Sequence, residues 1–566
     1  MIAITGANRG WDEARVAAPQ GPATIYAKST GKNPCMSQLL FELPLRSAER
    51  DAQAPSLSFK GRTVDYGELA QSIDRFASGL MRLRLGRLER VAIYLPKQPE
   101  TVIGMFGAAR AGCVFVPVNP LLKAAQVAHI LRDCNVRVLV TSADRLASLE
   151  SVLVECTDLR EVILVGQSST TAAPSHVGMH EWGSLLADGA QVPGHRVIDA
   201  DVVSIFYTSG STGKPKGVVL SHRNMVTGAH SVAQYLQNTS DDRVLAVLPF
   251  SFDYGFSQLS TSFHVGARAT LLDYLLPRDV ITTAARERIT GLAGVPPLWS
   301  QLADLDWPAE VRDSLRYITN SGGAMPGATL RKLRTALPKT QPFLMYGLTE
   351  AFRSTYLPPS EVDRRPESMG KAIPNAEILI VRPDGTECAT NEPGELVHRG
   401  ALVSLGYWND PAKTAERFKP APGQNPALVI TELAVWSGDT VRRDEDGFLY
   451  FVGRRDEMIK TSGYRVSPTE VEEVVFATGL VGDAAAVGVT HPKLGQAIVI
   501  VATPAPGQAN DSAKLLEACK KTLPLFMVPH HIEWRDALPR NPNGKYDRPK
   551  LAAELKELFT AKESNG

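Results

Sequence analysis

From residue 36 onward, short apolar runs rich in β-branched residues alternate with amphipathic stretches of helical period. Arg90-Val-Ala-Ile-Tyr-Leu95 reads as a buried strand. Residues 99–112 read as a helix, with Pro99 early and Gly112 at its end. Residues 114–118 and 136–141 predict two more strands, separated by a helical 123–134, and 160–166 continue the series. Alternation of this kind predicts parallel sheets covered by helices, an α/β architecture. The Ser/Thr/Ala-rich residues 168–174 read as a surface loop.

The pattern changes near Gly453. Before it, Asp444-Glu-Asp-Gly447 predicts a turn between short strands at 440–443 and 448–452. After it, the polar Arg454-Arg-Asp-Glu457 suits a linker, and a smaller α+β unit follows. That unit should hold a helix from Pro468, strands near 484–489 and 497–502, and a helix near 512–523. Ser467-Pro-Thr-Glu470 has the form of a capping box with proline at the first helical position. At 566 residues the chain exceeds the size at which one core keeps growing. The expected division is an extension at 1–35, a large domain at 36–452, a hinge at 453–456 and a small domain at 457–566.

The extension begins Ile2-Ala-Ile-Thr-Gly-Ala-Asn-Arg-Gly10, like the strand and glycine turn of a dinucleotide fold. The third glycine, the apolar helix and the ribose-binding acid of that fold do not follow, so residues 1–35 are expected to be poorly ordered and to bind no cofactor. With 61 Lys plus Arg against 60 Asp plus Glu, no global field points to nucleic acid. Six widely spaced cysteines show no metal-ligand spacing and read as reduced thiols. No apolar run approaches the roughly 20 residues of a membrane span, and no charged-then-apolar leader opens the chain, so a cytoplasmic protein is expected.

The densest chemistry lies in Tyr207-Thr-Ser-Gly-Ser-Thr-Gly-Lys-Pro-Lys216, followed by Gly217 and flanked by apolar runs that predict strand, loop, strand. Glycines let a backbone close around a ligand, amides and hydroxyls donate, and lysine adds charge. Thr208, Ser209, Gly210, Ser211, Thr212, Gly213 and Lys214 therefore form a candidate polyphosphate cradle. An ordinary hairpin turn needs two to five residues and no such density of donors. A Walker loop is excluded, because Gly210 and Gly213 are too close together and Pro215 hinders helix entry.

This loop resembles the phosphate loop of the adenylate-forming ligases: acyl-CoA synthetases, aryl ligases, luciferases and nonribosomal-peptide adenylation domains. Further segments match in the family's order, over roughly 340 residues from 207 to 545. They are Ser321-Gly-Gly-Ala324, Tyr346-Gly-Leu-Thr-Glu350, Ser437-Gly-Asp439, Gly453-Arg454-Arg-Asp456, Gly463-Tyr-Arg465 and Asn541-Pro-Asn-Gly-Lys545. Singly, each could be an ordinary turn or strand end.

The resemblance implies a large multi-sheet α/β N-terminal domain with a small mobile α+β lid. It implies ATP and Mg²⁺ as cofactors, and coenzyme A or the phosphopantetheine of an acyl carrier protein as acceptor. Lys545 would bridge the carboxylate and the α-phosphate, with Thr349 and Glu350 also catalytic and Glu350 the magnesium ligand. Ser321, Gly322, Gly323 and Ala324 would lie against adenine, with Tyr346, Gly347, Asp439 and Arg454 on the nucleotide. Asp456 would be the hinge, and Gly463 and Arg465 would serve the thiol step. A carboxylate attacking an α-phosphate gathers negative charge, so such a site needs positioned cations more than a general acid.

Two features bear on the acid. Many fatty-acyl and aryl ligases place a histidine where this chain has Phe252-Asp253-Tyr254, which instead resembles amino-acid-activating domains. Asp253 beside Tyr254 would then pair with a substrate ammonium, unless Asp253 bonds to a nearby amide or faces solvent. Arg353, three residues after Glu350, falls where adenylation domains line the substrate pocket. It would recognise a substrate carboxylate or prop a loop. The pattern is closest to stand-alone acyl-CoA ligases associated with exosortase or specialised-metabolite clusters. An amino-acid-like substrate is thus expected. The alternatives are a fatty or aryl acyl-CoA synthetase, an adenylating enzyme without thioester formation, and a nucleotide-binding scaffold without turnover.

Overall fold

A computed structural model describes residues 37–166, 173–187, 189, 191–208, 215–454, 458–505, 507–539 and 546–559. Ser37–Gly566 is one compact unit, and the extension expected at 1–35 lies outside the described residues. Among the described residues the strands form sheets of fourteen, seven and five.

The seven-stranded sheet is built from the predicted runs. Arg90–Tyr94 lies between Val114–Pro117 and Val136–Ser142, and Glu161–Val165 extends the edge, all in parallel. Helices Pro99–Arg110 and Ala124–Asp133 supply crossovers, the first with proline in its opening turn. Val202–Thr208 and Lys216–Ser221 close the sheet as an antiparallel hairpin whose register pairs Thr208 with Lys216. The phosphate-loop motif residues 209–214 lie outside the described residues.

The fourteen-stranded sheet joins two habits. Pro55–Phe59, Arg268–Leu271, Arg243–Ala246, Gly291–Gly294, Tyr317–Asn320 and Gln341–Tyr346 run parallel in that spatial order. From Thr355–Leu357 onward the sheet is antiparallel, through Ser368–Ala372, Leu449–Arg454, Leu433–Arg443, Gly394–Gly400 and Ala376–Val381. Helix Pro99–Arg110 is buried over residues 101–109, as an apolar-all-round helix must be. Phe106 stacks on Phe256 at 5.7 Å, and Phe256 on Phe115 at 5.4 Å, tying this helix to Asp253–Val265 and to the seven-stranded sheet. Burying each such ring is worth about 1.5–3 kcal/mol.

The C-terminal sheet orders Tyr464–Val466, Ile459–Thr461, Gly495–Pro504 and Val481–His491, with His531–Trp534 beside Gly495–Pro504. Helices Pro468–Ala477 and Ser512–Thr522 share its apolar core. Together, the large N-terminal α/β part and this small α+β part have the predicted fold class. No helix among the described residues is long and apolar enough to cross a membrane, and the five described cysteines are free and buried.

The capping box expected at Ser467 does not form, since Ser467 makes no side-chain cap bond. Glu470 instead accepts from Gln126 Nε2 of helix Ala124–Asp133 at 3.1 Å, beside Met527. Burial, opposed by that bond and aided by Glu473, pushes the Glu470 carboxyl up to about 7.

Between the ordinary glutamate value and pH 7, folding therefore takes up a proton at Glu470, and stability falls as pH rises through that window. Glu470→Gln keeps the shape without the charge. It should raise the melting temperature at pH 8, relieving roughly 1–3 kcal/mol, and converge on the parent near pH 5. Thermal melts at both pH values check this, and an equal offset at both would refute it.

Candidate active site

Strand Gln341–Tyr346 ends the parallel run and leads into a single 3-10 turn, Thr349–Ala351. The chain then reverses at Phe352, whose φ is 55° and ψ −46°, and the Arg353 N–H donates to the Ala351 carbonyl at 2.6 Å. This is a γ-turn of the rare positive-φ kind, a strained geometry that persists only where its surroundings hold it. The Phe352 ring is fully buried against Gly228 of helix His222–Leu236, where a Cβ would fall 2.3 Å from Phe352 Cδ1. Gly347 leaves room in the same way, its missing Cβ 3.2 Å from Arg353 Cα. The result sends Glu350 and Arg353 to different neighbours.

Glu350 is buried and accepts from the Tyr407 hydroxyl at 2.6 Å. Burial pushes its carboxyl up, but the charges of Arg417 and Arg465, with the Tyr407 bond, push it down harder, and it sits below the ordinary glutamate value. Lys216, from the end of the phosphate-loop motif, stands over the Tyr407 ring at 5.4 Å. One ionised carboxylate among several cations suits an anionic ligand and one bound cation. Magnesium commonly binds through one or two carboxylates plus phosphates rather than in a protein cage. Glu350 fits that mode, and no cluster of three or more His, Cys, Asp or Glu occurs among the described residues.

Tyr346, the last residue of strand Gln341–Tyr346, donates through its hydroxyl to the Asp439 carboxylate. Gly438, at φ 69°, turns Asp439 inward, and the Asp439 N–H donates to Ser437 Oγ at 3.1 Å. Arg454 is Asp439's register partner across the hairpin. Ser321 is buried at the end of Tyr317–Asn320, and Asn320 Nδ2 donates to the Gly323 carbonyl at 2.8 Å, shaping the turn to Ala324. Gly322 there faces Gly463: a Cβ on Gly322 would lie 4.0 Å from the Gly463 carbonyl oxygen. Gly463, at φ 83°, packs so closely on Val295 that a Cβ would meet it at 2.8 Å. The structure thus brings the Gly463–Arg465 segment, the Gly322 turn and Glu350 together. Lys545 and Asp456 lie outside the described residues, as do 209–214.

Asp253 has a partner that the sequence reading did not assign. Arg353 Nη1 donates to Asp253 Oδ2 at 2.9 Å, and both side chains are at most 5% exposed. Thr349 Oγ1 lies 3.3 Å from Asp253 Oδ1. The charge of Asp253 is thus matched by a protein cation, a partner not among the substrate ammonium, nearby amide and solvent that its sequence offered. The Asp253 carboxyl is raised, because burial outweighs Arg353's attraction. Tyr254 is buried beside it, with its hydroxyl 2.5 Å from Thr319 Oγ1, and the Arg353 guanidinium lies 4.8 Å over the Tyr254 ring.

Tyr407 and Arg417 were not anticipated. They come from the loop and helix Gly406-Tyr-Trp408 to Pro411–Arg417, whose only sequence signal was an aromatic pair before a charged helix.

Residues 45–408 match the family model for the AMP-binding enzyme, and residues 470–545 match its C-terminal domain. The chain belongs to the AMP-binding enzyme family. It is similar to the long-chain-fatty-acid–CoA ligase of Salmonella typhimurium, at 30% identity over 94% of this chain and 97% of that one. It is equally similar, at 30% over 96% of this chain, to a much longer linear gramicidin synthase polypeptide of Brevibacillus parabrevis, of which it spans 6%. These relatives are a ligase and a synthase, and the chain is an enzyme of the carboxylate–thiol ligase type. Among solved structures, it superposes on a double mutant of o-succinylbenzoate CoA synthetase from Bacillus subtilis bound with a product analogue, with a TM-score of 0.78. That comparison covers 90% of this chain and 98% of the other at 24% identity. The same synthetase in complex with its acyl-adenylate gives 0.64, at 25% identity over 90% and 97%.

The Phe352 turn yields a direct test. Gly→Ala inside a helix is normally favourable, but at Gly228 the new methyl meets a fully buried ring. Gly228→Ala should cost about 1–3 kcal/mol of stability, as overpacking does, and lower activity with it. Adding Phe352→Leu should recover much of the melting temperature. An unchanged or raised melting temperature in Gly228→Ala alone would contradict the packing account.

Proposed function

We propose that the protein activates a carboxylic acid with ATP, forming an acyl-adenylate and pyrophosphate, then passes the acyl group to a thiol. The acceptor is coenzyme A or the phosphopantetheine of a carrier protein. The observation that carries this reading is the approach of the Gly463–Arg465 segment to Gly322 and Glu350. A site that only adenylated would have no need of a second glycine face against the nucleotide turn.

In the first step the acid's oxygen attacks the α-phosphorus and pyrophosphate leaves. Two anions meet, so the site works by fixed positive charge. Lys545 bridges the attacking carboxylate and the α-phosphate. Lys214 and the amides of 209–213 hold the leaving pyrophosphate, and Lys216 adds charge near Glu350. Glu350, kept ionised by Arg417 and Arg465, would hold Mg²⁺, which supplies charge neutralisation on the phosphates. Asp439, oriented by Tyr346, accepts from the ribose hydroxyls, and Arg454 positions the nucleotide.

In the second step Lys545 withdraws as the small domain turns about Asp456, and the Gly463 face lines the thiol's path.

Two variants test the steps separately. Lys545→Ala should lower acid-dependent pyrophosphate exchange on the order of 10²-fold or more, while ATP still shifts the melting temperature. Near-normal exchange in the folded variant would remove Lys545 from the chemistry. Asp456→Pro fixes the backbone at the hinge, so it should spare pyrophosphate exchange and lose thioester formation. Retention of both half-reactions would rule out the rotation.

A further inference from the structure

Arg353 lines a small cavity with Tyr254, Ser257, Thr261, Thr319 and Met345, among others. As packed, this space is about 10 Å³, room for about one water. Arg353 Nη1 is spent on Asp253 and on the Phe352 carbonyl at 2.7 Å. Arg353 Nη2 and Thr261 Oγ1, both buried, have no hydrogen-bond partner among the described residues. A buried donor without a partner is costly, and native proteins keep one where a ligand or ordered water completes it.

We infer that the acid bound here, on the ligase reading above, is a short oxo or hydroxy acid whose distal neutral oxygen accepts from Arg353 Nη2. Charge decides among the candidate groups. Asp253 already balances Arg353, so a second substrate carboxylate would leave a net negative charge in a buried site. A substrate ammonium would meet the guanidinium as a like charge. An alkyl end would leave Nη2 and the Thr261 hydroxyl unsatisfied, and the space has room for the distal oxygen in place of one water but not for a chain. A neutral oxygen satisfies the donor without adding charge. Sites built to hydrogen-bond a substrate group reject analogues lacking it far better than apolar pockets reject an extra methylene.

The test is pyrophosphate exchange on the full chain with matched acids: acetoacetate and 3-hydroxybutyrate against butyrate, and 4-oxopentanoate against pentanoate. Succinate, 4-aminobutyrate and laurate cover the rival classes. The oxo and hydroxy acids should exceed their alkyl partners about tenfold or more in kcat/KM. Arg353→Lys keeps a cation for Asp253 but removes Nη2, and it should bring that ratio to within about threefold while ATP still shifts the melting temperature. If that variant does not fold, Asp253→Asn with Arg353→Gln keeps a neutral hydrogen-bonded pair and should abolish the same preference.

Equal or better exchange with alkyl acids, or a preference for succinate or 4-aminobutyrate, overturns the inference and leaves the ligase reading standing. So does a preference that survives in the Arg353 variants. Absence of exchange with every acid of this panel overturns the inference, and absence of any ATP-induced shift in melting temperature as well overturns the ligase reading with it.

Discussion

A single strained residue organises the candidate site. Phe352 holds a positive φ that a bulky side chain adopts only when its surroundings compel it. The compulsion is visible: its ring is wholly buried against a helix that has glycine at the point of contact. Because the chain reverses there, a carboxylate and a guanidinium three residues apart serve two different pockets. Without the reversal, Arg353 could not reach Asp253 while Glu350 reaches Tyr407.

The two pockets differ in electrical character. Around Glu350 the cations Arg417, Arg465 and Lys216 outnumber the acid, so the region favours an incoming polyanion and keeps Glu350 ionised despite burial. Around Asp253 the charges pair one to one, so the region favours a neutral dipole. Desolvation sharpens both effects, since a mismatched charge in a dry pocket has no water to screen it. A polyanion and a neutral group would thus be sorted between the two pockets by charge before shape is considered.

Much of the fold was readable in the sequence where burial is two-sided. Val136–Ser142 and Arg90–Tyr94 are apolar over most of their length because parallel strands under helices have no wet face. In the antiparallel region, Thr355–Leu357 is too short for a period to register. The Phe352 turn carried no signal, because positive φ is normally announced by glycine or asparagine. Motif order identified Asp439, Tyr346 and Glu350, and the structure joins the first two directly. Motif order could not reveal that Asp253 and Arg353, a hundred residues apart, neutralise each other. Asp253 was read as meeting a substrate ammonium, a nearby amide or solvent, and Arg353 as meeting a substrate carboxylate or propping a loop, and neither reading paired the two.

The junction between the two parts has the energetics that alternation requires. Among the described residues, every apolar cluster belongs wholly to one side: Ile459, Val466, Val471, Ile498 and Ile500 lie in one, and Leu292, Val295 and Phe343 in another. What crosses is polar or thin, such as Gln126 to Glu470 and the backbone of Gly463 against Val295. An interface without a shared hydrophobic core can be broken and remade at small cost, the usual condition for relative domain motion. Glycine at 463 matters for the same reason. A side chain there would wedge against Val295 and push away the segment whose Arg465 charge acts on Glu350. The same residue that permits contact also keeps it shallow enough to release.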